Sequence, residues 1–171
     1  MTECPWKSKH PVREATEDDI PQLAVHHRKM FEEIWERRGH QVYASIFVEM
    51  ETAYARKLEQ ELLSGSCKAW IIEDTHAVVA SGAVTVVSFV PTPADASSKV
   101  AYLHSMYTEK GFRNNSFANR IVESAIQYCQ ANGIKRIVLD ASEAGRPIYE
   151  KIGFGSAPEF MRFLIPDCSA G

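Results

Sequence analysis

The chain has 171 residues, of which 45% are hydrophobic and 24% charged, and its formal net charge is −3. This length and composition predict a soluble globular domain with its own core, and the small negative charge gives no electrostatic case for a nucleic-acid partner. Because apolar runs stay well short of the roughly 20 residues that a membrane span needs, and the N-terminal stretch lacks the apolar region of a secretory signal, we expect no membrane partner.

The cysteines are scattered along the sequence and include no Cys-x-x-Cys pair. This spacing argues against a zinc site and against a disulfide scaffold, and it suits a reducing cytoplasm. We therefore expect a metal-free, cytoplasmic protein with a single domain over residues 1–171 and a core at about 12–165. The four cysteines are Cys4, Cys67, Cys129 and Cys168.

The first predicted elements are a short strand and a helix. Residues 12–15 have the composition of a strand. Thr16 and Asp19 are spaced as in a capping box, which marks the start of a helix. Apolar residues then recur at helical spacing as far as Ile34, and Gly39 ends the helix.

A second helix and a β-hairpin follow. Residues 43–63 carry apolar side chains at helical spacing, and Gly65 closes this helix. The pattern then changes to runs rich in Val and Ile at 69–73 and 78–90, separated by a polar turn, which predicts a hairpin. Residues 91–98 are rich in Pro, Ser and Ala, and we expect a surface loop there.

The next elements form a β-α-β unit. A strand is predicted at 100–108, a helix at 116–132 and a buried strand at 136–141. Such a unit is expected to be a parallel, right-handed crossover. Gly133 is placed to end the helix in the left-handed conformation.

A short helix and a last strand complete the predicted order. Pro147 suits the first turn of the helix, and Gly153 ends it. Residues 161–165 predict the strand. The order is therefore β-αα-βββ-α-β-α-β, which indicates an α/β fold with mixed strand directions.

The segment from Tyr102 to Ile121, YLHSMYTEKGFRNNSFANRI, joins a strand, a polar loop and a helix. Loop N–H groups and the positive end of a helix suit a phosphate, and Arg113 could add a charge-assisted hydrogen bond. A plain surface turn, with Ser116 as an ordinary N-cap, explains the same residues equally well.

Two motifs together extend this interpretation. EKGFRNNSFANRI resembles the Arg/Gln-x-x-Gly-x-Gly/Ala signature of the GNAT superfamily of acyl-CoA N-acyltransferases. IYEKIGF, at residues 148–154, resembles the second signature of that superfamily, apolar-Tyr-x-x-x-Gly-Phe. The resemblance covers residues 12 to about 165, and it implies the GNAT fold, with a mixed, mostly antiparallel central sheet flanked by helices.

The resemblance implies that acetyl-CoA, as a cosubstrate, binds along the end of one strand and the loop after it. Met106 and Thr108 are expected to pair with the pantetheine arm and the thioester carbonyl, and the backbone of residues 114–119 to wrap the pyrophosphate. The implied cofactor contacts are Met106, Tyr107, Thr108, Arg113, Asn114, Asn115, Ser116, Phe117, Ala118, Asn119 and Ser142.

The resemblance also implies catalytic groups. Tyr149 matches the tyrosine that protonates the departing thiolate, and the motif favours this role over that of a core tyrosine with its hydroxyl at the surface. Ser142 lies where many members place an asparagine that contacts CoA, or it caps the next helix. The base is open between His104, which we expect on the same strand face as Met106, Asp140 acting through water, and a water relay without a single base.

The sequence departs from the family pattern at two places. Ser116 replaces the first glycine of the loop signature, where glycine allows close approach of the backbone. Members that carry a glutamate base on the strand before the second signature would place it near Ile137, and no glutamate stands there.

The acceptor side is expected in the two N-terminal helices and their connecting loop. Its aromatic side chains could accept a small amine, an amino acid or a peptide N-terminus, but at helical spacing they also suit a core. These residues are Met30, Phe31, Ile34, Trp35, His40 and Tyr43.

The resulting hypothesis is transfer of an acetyl group from acetyl-CoA to a primary amine of a small molecule or peptide, by direct attack in a ternary complex. The alternative is a non-catalytic CoA-sensing module that kept the fold, motivated by Ser116 and by the missing base. The resemblance is compatible with a homodimer and implies no metal.

Overall fold

The computed structural model describes residues 10–165 and places five strands of this part of the chain in one sheet. The strands lie side by side in chain order, and every pair is antiparallel except the last, which is parallel. The predicted α/β class with a mixed, mostly antiparallel central sheet is thereby confirmed. The elements are strands β1 (Val12–Glu14), β2 (Cys67–Asp74), β3 (Ala77–Ser88), β4 (Lys99–Thr108) and β5 (Ile137–Val138), and helices α1 (Ile20–Arg37), α2 (Ala44–Ser64), α3 (Phe117–Ala131) and α4 (Arg146–Ile152).

Helices cover both faces of the sheet, and each face has its own core. The core under α3 includes Trp70, Ile72, Val84, Leu103 and Ile121. The core under α1 and α2 includes Leu23, Tyr54, Leu58, Ile71 and Ala83. Neighbouring residues of β2, such as Ile71 and Ile72, enter opposite cores, as the alternation of side chains along a strand requires.

The predicted boundary signals are confirmed at several element ends. Thr16 and Asp19 form the capping box, and the Thr16 N–H donates to Asp19 Oδ2 at 2.8 Å. A single 3-10 turn at Glu17–Asp19 comes between this box and α1. Gly65 and Gly133 have φ of +76° and +67°, the left-handed conformation that ends a helix.

Of the two strands predicted near the C-terminus, one is absent and the other is shorter than expected. The expected last strand at 161–165 is absent, and Met161 is 96% exposed. The expected strand at 136–141 is reduced to the two residues of β5. Strand-like composition describes a preference only, and a strand also needs a hydrogen-bonding edge beside it. With only two residues, β5 offers a very short one.

Candidate active site

The centre of the candidate site is a bulge in β4. The pairing of β3 with β4 shifts by one residue between Ser81 and Ala83, so β4 has one extra residue opposite Gly82. Ser105 adopts φ +55° there, in the left-handed region that side chains other than glycine seldom enter. A Cβ at Gly82 would lie 2.2 Å from Met106 Sδ, so glycine leaves room for the Met106 side chain.

Beyond this point β4 has an open edge. Strands β4 and β5 pair only at Ala101 with Ile137 and at Tyr102 with Val138, whereas β4 continues to Thr108. Within the part of the chain that the structure describes, no strand continues the pairing along that edge. The two parallel strands therefore part and leave a fork.

Two backbone N–H groups of β4 point into this fork. The N–H of Glu109 donates to Val79 O of β3 at 2.9 Å. Because N–H directions alternate along a strand, those of Met106 and Thr108 point away from β3, toward the open edge. These are the two donors that the sequence predicts for the thioester end of acetyl-CoA, and that role stays a prediction.

The bulge also separates two residues that we expected on one face. Met106 packs against the core under α3, whereas His104 lies on the face of α1 and α2. There its ring forms hydrogen bonds with the hydroxyl groups of Tyr54, Thr85 and Ser105. The same-face expectation is wrong because the extra residue at Ser105 reverses the alternation.

The loop between β4 and α3 has left-handed backbone at two non-glycine residues. Asn114 has φ +66° and Ser116 has φ +58°, and Ser116 directly precedes the first turn of α3. Left-handed residues of this kind occur in anion-binding backbone nests, and the N–H groups of a helix start have no partner within the helix. The Asn115 side chain donates to Phe112 O at 2.9 Å and holds the loop in shape.

Arg113 at the start of this loop is tied to α1. Its Nη2 donates to both carboxylate oxygens of Glu33 at 2.8 and 2.9 Å, and its Nε donates to Thr108 O at 3.0 Å. Burial raises the pKa of Glu33, but hydrogen bonds and charge from Arg113 outweigh it and the net pKa is lowered. The guanidinium thus anchors the loop to α1, and its predicted contact with pyrophosphate stays a prediction.

Tyr149 lies on α4 and is half-buried against the core under α3. Its ring packs edge-on against Phe154, with 5.8 Å between centroids. Burial raises the pKa of Tyr149 to about 12. A tyrosine is protonated at neutral pH even without this shift, and a proton donor must be protonated.

Ser142 stabilises the turn that leads into α4. Its hydroxyl accepts a hydrogen bond from the Gly145 N–H at 3.1 Å, and its carbonyl accepts one from the Arg146 N–H at 2.9 Å. Gly145 is the N-cap residue of α4, so Ser142 supports the turn before the helix and does not occupy the cap position itself. A contact between Ser142 and CoA stays a prediction.

Asp140 is exposed just beyond β5 and is held by a residue that sequence reasoning missed. Tyr102, which forms the last residue pair before the fork, donates its hydroxyl proton to Asp140 Oδ2 at 2.8 Å. The predicted parallel pairing of the two strands could have revealed Tyr102. Residues close to a paired position on parallel strands are neighbours, and Asp140 stands two residues after Val138, the partner of Tyr102.

A chain of hydrogen-bonded side chains also escaped sequence reasoning. It runs from Glu61 on α2 through Thr85 on β3 to His104 and Ser105 on β4, and ends at His27 on α1. Burial lowers the pKa of His27 and of His104 to about 4. The sequence pattern predicts that Thr85 and His104 lie in strands. Their contact depends on how β3 pairs with β4 around the bulge, and the sequence does not reveal that register.

Two of the aromatic residues expected around the acceptor are open to solvent. Trp35 and Tyr43 are 37% and 82% exposed. A cleft of about 740 Å³ lies between the N-terminal half of α1 and α2, and its lining includes Ile20, Ala24 and Ala55. Acceptor residues therefore stay a prediction.

Among residues 10–165, His, Cys, Asp and Glu form no group of three or more that could hold a metal ion. In the same range, no helix combines the length and apolar character needed to cross a membrane.

Comparison with solved structures shows what this arrangement is similar to. A predicted acetyltransferase from Clostridium acetobutylicum, solved with acetyl-CoA, is 25% identical and superposes with a TM-score of 0.80, covering 91% of this chain and 96% of that chain. A GCN5-related N-acetyltransferase from Ralstonia eutropha is 23% identical, with a TM-score of 0.80 and coverage of 91% and 98%. Glucosamine-6-phosphate N-acetyltransferase from Arabidopsis thaliana is 19% identical, with a TM-score of 0.61 and coverage of 92% and 99%.

Sequence comparison gives the family itself. No curated protein matches the chain. The model of the acetyltransferase (GNAT) family matches residues 22–154, from α1 to the end of the second signature. This match spans the bulge, the fork, the loop and Tyr149, and the chain therefore belongs to the GNAT acetyltransferase family.

Proposed function

We propose that the protein transfers an acetyl group from acetyl-CoA to a primary amine of a small molecule or peptide. The observation that carries this proposal is the open edge of β4, where the N–H groups of Met106 and Thr108 face the fork. A thioester carbonyl needs such donors, and they also stabilise the oxyanion that forms when an amine attacks it. Family membership supports the same reaction class.

The loop supports the cosubstrate end of the proposal. Backbone donors of residues 114–119 continue from the open edge to the start of α3, which is the order in which thioester and pyrophosphate occur along CoA. Ser116 already has the left-handed backbone for which the family signature uses glycine. Its side chain is small and exposed, so it leaves the backbone accessible to phosphate.

For the proton transfers we propose Tyr149 as the acid and Asp140 as the base. As the amine nitrogen bonds to the thioester carbon and the C–S bond breaks, Tyr149 gives its proton to the sulfur. The proton that the amine loses passes through water to Asp140, which is exposed. We favour Asp140 over His104 as base because both ring nitrogens of His104 already contact protein hydroxyls.

A thiol-release assay with acetyl-CoA and a panel of primary amines tests the proposal. We expect amine-dependent release of CoA thiol and a matching acetylated amine by mass spectrometry. Calorimetric titration with CoA is the companion measurement. Tight CoA binding without turnover of any amine would contradict the enzyme and favour the non-catalytic module.

A further inference from the structure

We propose that Glu61 and Thr85 are positioning residues for acetyl transfer, and that they act on the β4 bulge through His104 and Ser105. Neither residue contacts the fork edge directly. The inference rests on the proposed function, since the bulge is where the Met106 N–H is presented to the thioester. It assigns a role to four polar side chains that the reaction itself does not use.

The hydrogen bonds connect the surface of α2 to the bulge without a gap. Thr85 Oγ1 lies 3.0 Å from Glu61 Oε2 and 3.0 Å from His104 Nε2. His104 Nδ1 lies 3.0 Å from Ser105 Oγ, which in turn lies 2.8 Å from His27 Nδ1. Each contact is within normal hydrogen-bond distance.

The chemistry of these groups fixes the direction of the bonds. A carboxylate only accepts, so the single hydroxyl proton of Thr85 goes to Glu61. Thr85 must then accept from His104, which places the ring proton on Nε2. The lone pair on Nδ1 is left to accept from a hydroxyl, and the Ser105 hydroxyl is closer to it than that of Tyr54 at 3.3 Å.

Burial agrees with this assignment. Thr85 and Ser105 are buried, and His104 is half-buried beside Tyr54 of α2. Because burial lowers the pKa of His104 to about 4, the ring is neutral at physiological pH and carries one proton. One neutral tautomer therefore satisfies the whole chain of bonds.

The bulge needs this support because its backbone is strained. Ser105 has φ +55°, a conformation that costs on the order of 1 kcal/mol for a residue with a side chain. Such conformations persist where surrounding contacts over-determine them. The Ser105 hydroxyl contacts two rings, those of His27 and His104. Glu61 and Thr85 fix the tautomer of His104, so that its Nδ1 accepts a hydrogen bond from Ser105.

Substitution of Thr85 tests the link to catalysis. Thr85→Val keeps the shape of the side chain and removes both of its hydrogen bonds. We expect kcat to fall by about tenfold or more, as small misplacements of reacting groups do, while KM for acetyl-CoA changes little. Thr85→Ser should restore kcat, and Thr52→Val, on the exposed face of α2, is the matched control.

Substitution of Glu61 tests the direction of the bonds without disturbing a buried position. Glu61→Leu removes the acceptor, so the Thr85 hydroxyl becomes free to donate to His104 Nε2. Nitrogen-15 NMR of the imidazole should show the Nε2–H tautomer in the wild-type protein and a mixture in Glu61→Leu. The control is Glu59→Leu, an exposed glutamate on the same helix, which should leave the tautomer unchanged.

Two results would overturn the inference. One is a wild-type His104 protonated on Nδ1, and the other is a folded Thr85→Val protein with unchanged kcat. If the wild-type protein transfers no acetyl group at all, the proposed function fails and the positioning role falls with it. The tautomer measurement needs no turnover, so it still decides whether the hydrogen-bond chain is as described.

Discussion

At the scale of single residues, the clearest test concerns the proton donor. Tyr149 is protonated at neutral pH, as tyrosines ordinarily are, and burial raises its pKa further, to about 12. We expect Tyr149→Phe to lower kcat by at least about 100-fold, the usual contribution of a general acid. Affinity for acetyl-CoA, measured by calorimetry, should be nearly unchanged because the ring and its packing remain.

A second tyrosine provides the control for this substitution. Tyr128 lies on α3 and packs edge-on against Trp70. Tyr128→Phe removes the same hydroxyl group from another part of the core and should leave kcat unchanged. Equal activity of Tyr149→Phe and the wild-type protein would remove Tyr149 from the mechanism.

At the scale of elements, the loop before α3 shows how a backbone conformation constrains residue choice. Ser116 is left-handed, which costs about 1 kcal/mol and which glycine avoids. Ser116→Gly should therefore hold or improve CoA binding, with little net change in thermal stability, because the unfolded chain gains freedom. A large loss of binding would mean that the serine hydroxyl is itself a ligand.

The same substitution in the middle of α3 is the matched control. Ser124 is helical, and its hydroxyl donates to Arg120 O at 3.1 Å. Ser124→Gly should destabilise the protein by about 0.5 kcal/mol, the difference between the helix propensities of serine and glycine. Chemical denaturation of the two variants separates the left-handed site from the helical one.

Sequence reasoning succeeded where the signal is local to an element. The capping box at Thr16 and the glycines at Gly65 and Gly133 marked helix ends correctly, because each depends on a few neighbouring residues. It failed where two elements must meet. The extra residue at Ser105 becomes visible only in the pairing with β3, and it moved His104 to the other face of the sheet.

The predicted strand at 161–165 failed for a related reason. Its apolar residues satisfy a composition rule, yet they find no edge among the described elements. Arg113 is a subtler case. Its residue type predicted an anion partner, and the structure supplies one from Glu33, 80 residues earlier in the chain. Long-range charge pairing of this kind has no local sequence signal.

At the scale of the whole molecule, buried histidines couple stability to pH. Burial lowers the pKa of His26, His27 and His104 to about 4, and Glu109 beside His26 only partly opposes this. In the unfolded chain these groups titrate near 6.5. The unfolded state therefore binds more protons between these values, and acid shifts the equilibrium toward it.

We expect the free energy of unfolding to be highest above pH 6.5 and to fall as pH is lowered to about 4. The loss should reach a few kcal/mol, because one pKa unit corresponds to about 1.4 kcal/mol. Urea denaturation at several pH values measures it. His27→Gln should flatten the curve in this window, whereas the exposed His40→Gln should not, and a curve flat between pH 6.5 and 4 in the wild-type protein would contradict the prediction.

The fork between β4 and β5 has a consequence for the life of the protein without its ligand. An unpaired strand edge is a template on which other extended chains can add. A pantetheine arm bound along β4, as proposed above, would serve as a substitute strand and cover that edge. A molecule that binds only the native form also shifts the unfolding equilibrium by mass action. The supply of acetyl-CoA would then set both how fast the protein works and how long it resists aggregation and proteolysis.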